Sequence, residues 1–211
     1  MDVEDNVVSS VKDESLITKR RHQIIKSAIQ LFKEKGFHRT TTREIAQKCG
    51  FSIGTLYEYI RTKEDVLFLV YQSINERVYQ HLREKVDLSD VSSSNIMDTI
   101  ASYYRLVDEM QDEVIILYQE VKSLHTSKKE VVLQKERDMV ELLTRAIYAC
   151  YDDKVNEKEA TLIANNVFVQ GQMWAFRRWT LQKQYTIDEY IQMQLELFQK
   201  TVGLTTIYKE G

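Results

Sequence analysis

An all-α fold is predicted for this chain of 211 residues by three observations. It has no proline and only six glycines, so residues that interrupt helices are scarce. Apolar residues recur at helical spacing, as in Ile24, Ala28, Leu31 and Phe32. Helix-start signals, a hydroxyl or amide residue followed three positions later by an acid, precede one periodic run after another. With 43% hydrophobic residues the chain can bury a core, and about nine helices are expected.

The first helix is predicted over Thr18–Lys35, with Lys33 and Lys35 in its last turn and Gly36 as the stop. Thr41 and Glu44 form a capping box for a second, with Ile45 and Ala46 inward. Gly50 ends it, and Ser52 caps a third over Ile53–Tyr59. Leu56 and Ile60 give that third helix an inner face. Ile53, Thr55, Tyr57, Glu58 and Tyr59 are expected outward. Two short helices around a glycine turn, the second carrying hydroxyl and aromatic residues outward, make a helix-turn-helix. The fourth helix, Lys63 to about Lys85, starts in this head and ends in the body, a natural lever between them.

A serine-rich break is expected at Ser89–Ser94. Further helices follow from Asn95 to Met110, from Glu113 to Leu124, and from a Ser127–Glu130 box to Cys150. Asn156–Glu159 starts one running to Gln182, and Thr186–Glu189 starts the last, which ends before Gly203. The domains read as a disordered acidic arm over 1–15, a helix-turn-helix head over 16–63, and a helical body over 64–211.

Charge is distributed unevenly. Residues 16–63 hold 11 Lys+Arg against 3 Asp+Glu, whereas the whole chain carries a net −3. A basic head on an acidic body points to nucleic acid as the head's partner. His22, His38, His81 and His125 lack metal-ligand spacing. No nucleophile-elbow, phosphate-loop or dinucleotide motif occurs. Catalysis, a metal and a cofactor are therefore not expected. No run is apolar enough to span a bilayer, and the N-terminus lacks a signal-peptide layout, so the cytoplasm is the expected compartment. Cys49 and Cys150 are expected as free thiols.

The stretch IIKSAIQLFKEKGFHRTTTREIAQKCGFSIGTLYEYIRTKEDVL resembles the N-terminal domain of TetR-family transcriptional regulators. The resemblance rests on Leu31–Phe32, Gly36–Phe37, Thr41–Thr42, Ile45–Ala46, Gly50, Ser52, Gly54, Tyr57, Tyr59, Lys63 and Leu67. Cys49 and Ile60 depart from it as apolar replacements. It implies DNA contacts from Thr42, Arg43, Ser52, Ile53, Thr55, Tyr57, Tyr59 and Lys63, with Ile53, Thr55 and Tyr57 reading bases. It also implies a homodimer on a palindromic operator, paired through the last two helices.

The body is expected to take a small-molecule effector. Tyr104 and Tyr118 lie among aliphatic residues, and Trp174, Arg177 and Arg178 lie in the cluster MWAFRRW. Arginines beside tryptophans suit a phosphate or carboxylate. The C-terminal segment also resembles, more weakly, family members that answer to fatty acyl-CoA. The expected function is therefore a repressor released from its operator by such a ligand. The alternative is a DNA-binding protein whose body docks another protein.

Overall fold

The computed structural model describes residues 7–86, 88 and 91–203. These residues form ten α-helices and one short 3-10 turn, with no strand among them. The helices are α1 Glu14–Lys35, α2 Thr42–Cys49, α3 Ile53–Tyr57, α4 Lys63–Lys85, α5 Ser93–Glu109, α6 Gln111–Glu120, α7 Thr126–Tyr151, α8 Glu157–Phe176, α9 Arg178–Leu181 and α10 Ile187–Thr201. The 3-10 turn is Val121–Ser123.

They fall into two compact units. One runs to Arg77 and includes Ile115–Lys135; the other comprises Val78–Val114 and the chain from Glu136 onward. The boundary expected at Lys63 thus lies at the start of α4, whose residues up to Arg77 belong to the first unit.

In the first unit α1 packs on α2, and α2 on α3. Ile24, Ala28, Leu31, Phe32, Ile45, Ala46 and Leu56 supply the core, joined by Val66–Tyr71 of α4. Phe32 and Phe37 meet edge to face with ring centroids 5.3 Å apart. The expected capping box at Thr41 and Glu44 is formed, and Gly50 ends α2 in the left-handed region at φ 72°. Thr62 and Asp65 cap one another at the start of α4: Asp65 N–H donates to the Thr62 hydroxyl, and Thr62 N–H to the Asp65 carboxylate.

In the second unit α5 packs on α8 and α10. Its core is aromatic. Tyr103 lies edge to face with Phe168 at 5.0 Å, and Trp174 lies 4.9 Å from Tyr190. Asn156 with Glu159 and Thr186 with Glu189 form the expected capping boxes of α8 and α10.

Three expectations need correction here. Ser92, rather than Asn95, caps α5, its hydroxyl accepting from Asn95 N–H. Helix α7 begins at Thr126, so Ser127 and Glu130 lie inside its first turns instead of capping it. The helix expected to reach Gln182 breaks at Arg177. That break coincides with two anchors: Trp174 Nε1 donates to Asp108 at 2.6 Å, and Arg178 pairs with Asp112 at 2.9 Å.

The arm expected to be disordered over 1–15 lies outside the described residues up to Asn6. From Val7 onward it makes contacts with the head. Val7 is buried, Ser9 and Ser10 bond to Glu58, and Asp13 caps α1.

Candidate nucleic-acid interface

Helix α3 is only five residues long, and an isolated segment of that length does not hold a helix in water. Its shape is imposed by its ends. At the N-terminus the Ser52 hydroxyl accepts from Thr55 N–H at 3.0 Å and lies 2.9 Å from the Thr55 hydroxyl. Inward, Leu56 is fully buried. Outward, Ile53 and Tyr57 are exposed, with Tyr57 at 47%. Exposed apolar and aromatic side chains on a short capped helix are unusual unless something else contacts them.

Helix α2 adds to this face. The Thr42 and Tyr57 hydroxyls lie 3.2 Å apart, which ties the two helices together through the groups expected to meet DNA. Arg43 is exposed beside them. Lys35 and the Thr41 N–H and hydroxyl draw the Glu44 carboxyl down to about 2, so this first-turn acid remains charged at neutral pH. The face therefore combines hydroxyl donors, an apolar contact at Ile53, an aromatic ring and a free-standing guanidinium arm, the mixture that duplex DNA accepts at phosphates and base edges.

Two residues expected at this face are placed elsewhere. Tyr59 is 3% exposed. The reason is geometric: α3 ends at Tyr57, so Tyr59 no longer follows the helical spacing, and the turn carries it inward with Ile60. Lys63 folds back on the loop after α1. Its ammonium donates to the Phe37 carbonyl at 2.9 Å and the His38 carbonyl at 3.2 Å, and sits 4.3 Å from the Phe37 ring centroid. Burial lowers its pKa, and Glu120 opposes that shift. Its visible work is to satisfy loop carbonyls. Sequence spacing assigns Tyr59 to the surface because it extends α3 two residues too far, and it gives no sign that the Lys63 ammonium turns to the Phe37 and His38 carbonyls.

The expected effector residues divide between the two units. Tyr118 is 67% exposed and belongs to the first unit, whereas Tyr104, Trp174, Arg177 and Arg178 belong to the second. Tyr104 and Trp174 are buried in the aromatic core, and burial pushes the Tyr104 phenol pKa well up. Arg178 is committed to Asp112, while Arg177 is exposed. The expected pair of anion-binding arginines is thus one ion-paired side chain and one at the surface.

Glu136 escaped the sequence reading, since KERD looks like a solvated stretch. In the structure burial raises its carboxyl pKa, Arg137 opposes this, and its charge is felt by the Tyr103 phenol. A half-buried carboxyl whose charge reaches the Tyr103 phenol is a polar point on α7.

Comparison with known proteins agrees with this geometry. Residues 24–70 match the model of bacterial regulatory proteins of the tetR family. The HTH-type transcriptional regulator HbdR of Aromatoleum sp. (strain CIB) is 26% identical over 213 residues, covering 97% of this chain and 92% of that protein. Among solved structures, a bacterial regulatory protein of the tetR family from Rhodococcus RHA1 superposes with a TM-score of 0.77 at 22% identity, covering 87% of this chain and 97% of that one. AibR, solved in complex with isovaleryl coenzyme A and operator DNA, superposes with a TM-score of 0.70 at 18% identity, covering 84% and 97%.

Proposed function

We propose, for a chain that belongs to the tetR family of bacterial regulatory proteins, a DNA-binding transcriptional repressor that a small amphipathic ligand such as an acyl-CoA releases from its operator. The observation that carries the reading is the exposure of Ile53 and Tyr57 on a helix capped at Ser52 and tied to α2 through Thr42. Ile53, Thr55 and Tyr57 read base edges; Thr42, Arg43 and Ser52 hold the backbone. Binding to operator DNA would have the protein work beside the chromosome, in the cytoplasm. No helix among the described residues is long and apolar enough to cross a membrane.

Two copies act together. Leu162 and Val169 on α8, and Met193 and Leu197 on α10, remain exposed in the single chain, Leu162 at 62% and Leu197 at 54%. Their burial against a second copy would give the two-fold pair that a palindromic site requires.

The acyl-CoA reading draws on AibR, which was solved with isovaleryl coenzyme A and operator DNA. The aromatic and aliphatic interior of the second unit suits an acyl group, and exposed Arg177 suits an anionic head. Release requires only that the ligand favour a state of the body whose heads fit the operator less well. Helices α4, α6 and α7 each contribute residues to both units and are covalent routes for that coupling.

A duplex selected by the wild-type protein from a random pool tests the head. Tyr57→Ala is expected to cost about 1–3 kcal/mol on that duplex and little on unselected DNA. Arg43→Ala is expected to weaken both alike and to flatten the log–log salt slope by about 0.9. Fluorescence anisotropy at several salt concentrations reads both effects. Wild-type behaviour in both variants would remove α3 from the interface.

A further inference from the structure

The C-terminal end of α3 is held by a segment that lies before α1. Ser10 N–H donates to the Glu58 carbonyl at 2.9 Å, and the Ser9 hydroxyl donates to the same oxygen at 2.8 Å. The Ser10 hydroxyl adds a third, longer bond at 3.3 Å. Glu58 is the residue immediately after α3, and it follows Tyr57. The final carbonyls of a helix lack intrahelical partners. Here the N-terminal segment supplies donors that the short helix cannot provide.

Arg21 of α1 closes the arrangement. Its guanidinium donates to the Val7 carbonyl and, at 3.5 Å, to the Tyr59 carbonyl. One side chain thus grips both the arm and the chain leaving α3. It is 8% exposed; burial lowers its pKa, and the charge of Asp65 opposes that shift. Val7 packs inward next to this grip, while Val8 points out. A desolvated guanidinium bound to two carbonyls is costly unless its geometry is fixed, so the contact is a defined one.

We propose that Val7–Ser10 and Arg21 form a clamp that positions the recognition helix for base reading, making these residues specificity-determining although none of them touches a base. The proposal rests on the DNA-binding reading of α3. Leu56 and the Thr42–Tyr57 contact seat α3 against α2, but neither holds its C-terminal carbonyls. Ser52 holds one end and the clamp holds the other. Loosening the clamp leaves the cations of the head in place, so attraction to phosphates persists. What it loses is the alignment of Ile53 and Tyr57 with particular bases.

The test uses the full chain and two duplexes, one selected by the wild-type protein from a random pool and one unselected. Ser10→Pro removes the N–H donor at an exposed position. It is expected to lower affinity for the selected duplex by about tenfold, the scale of one mismatched base pair. Binding to unselected DNA and its salt slope are expected to stay at wild-type values, which also shows that the head remains folded. Ser10→Ala keeps the N–H and is expected to lose less than Ser10→Pro. Equal losses on both duplexes, equal losses in the two variants, or no loss in Ser10→Pro would each overturn the clamp. Failure of the wild-type protein to enrich any sequence would instead overturn the DNA reading, and the clamp with it.

Discussion

Asp65→Ala is expected to lower the unfolding free energy by about 3 kcal/mol, the scale of breaking a buried ion pair from one side. The Asp65 carboxylate is 6% exposed by residue and accepts the N–H groups of both Arg61 and Thr62 at 2.8 Å. It also pairs with Lys128 and lies in the field of Arg21. Alanine would leave two backbone donors and a desolvated ammonium without their acceptor. Asp65→Asn, which keeps one acceptor oxygen, is expected to lose less. Urea unfolding followed by circular dichroism measures both.

The same carboxylate sets a pH dependence. Burial alone would raise its pKa, but the Lys128 ammonium and the N–H groups of Arg61 and Thr62 outweigh that and hold it below its ordinary value. A depressed folded pKa means the stabilisation is complete above the unfolded value of about 3.9 and disappears as pH falls through the folded one. The wild-type protein should therefore lose stability below about pH 4 more steeply than Asp65→Asn. Parallel acid titrations of the two proteins would contradict this.

Gly171→Ala is the second large effect. A Cβ built at Gly171 would lie 2.6 Å from Tyr103 Cε1 and 3.1 Å from both Tyr103 Cζ and Tyr104 Cδ1. The Tyr103 ring cannot easily withdraw. Its hydroxyl donates to the Phe168 carbonyl at 3.3 Å, and its ring meets the Phe168 ring edge to face. Overpacking of a fixed core costs about 1–3 kcal/mol, and alanine returns at most about 1 kcal/mol through helix propensity. The steric effect wins, with a net loss of up to about 2 kcal/mol. Tyr103→Leu, which removes the obstructing ring, should shrink the effect of Gly171→Ala when the two are combined, and a double-mutant cycle on thermal melts measures that coupling. Additive losses would show that the glycine is not there for the tyrosine.

What was legible in the sequence was local. Thr41 with Glu44, Asn156 with Glu159 and Thr186 with Glu189 cap their helices as their spacing suggests, whereas Ser127 with Glu130 falls inside α7. The glycine turn at Gly50 and the inner face of α1 needed no tertiary information either. What was not legible depended on distant partners. Tyr59 turns inward because α3 stops early, and α3 stops where Glu58 meets Ser9 and Ser10, 49 and 48 residues away in sequence. Lys63 is drawn to carbonyls 25 and 26 residues earlier. Arg178 finds Asp112 across 66 residues, which no run of arginine and tryptophan announces. Acidic, polar composition likewise hid the fact that Val7 is a core residue.

The most direct test of the whole account is the dissociation constant of the wild-type protein for its selected duplex, measured by anisotropy with and without acyl-CoAs of increasing chain length. The account predicts that at least one of them weakens binding by about 5–150-fold, the range of ordinary coupling between two sites, while binding to unselected DNA changes little. Unchanged affinity for the selected duplex across the series, with native mass spectrometry showing an acyl-CoA bound, would contradict ligand-driven release.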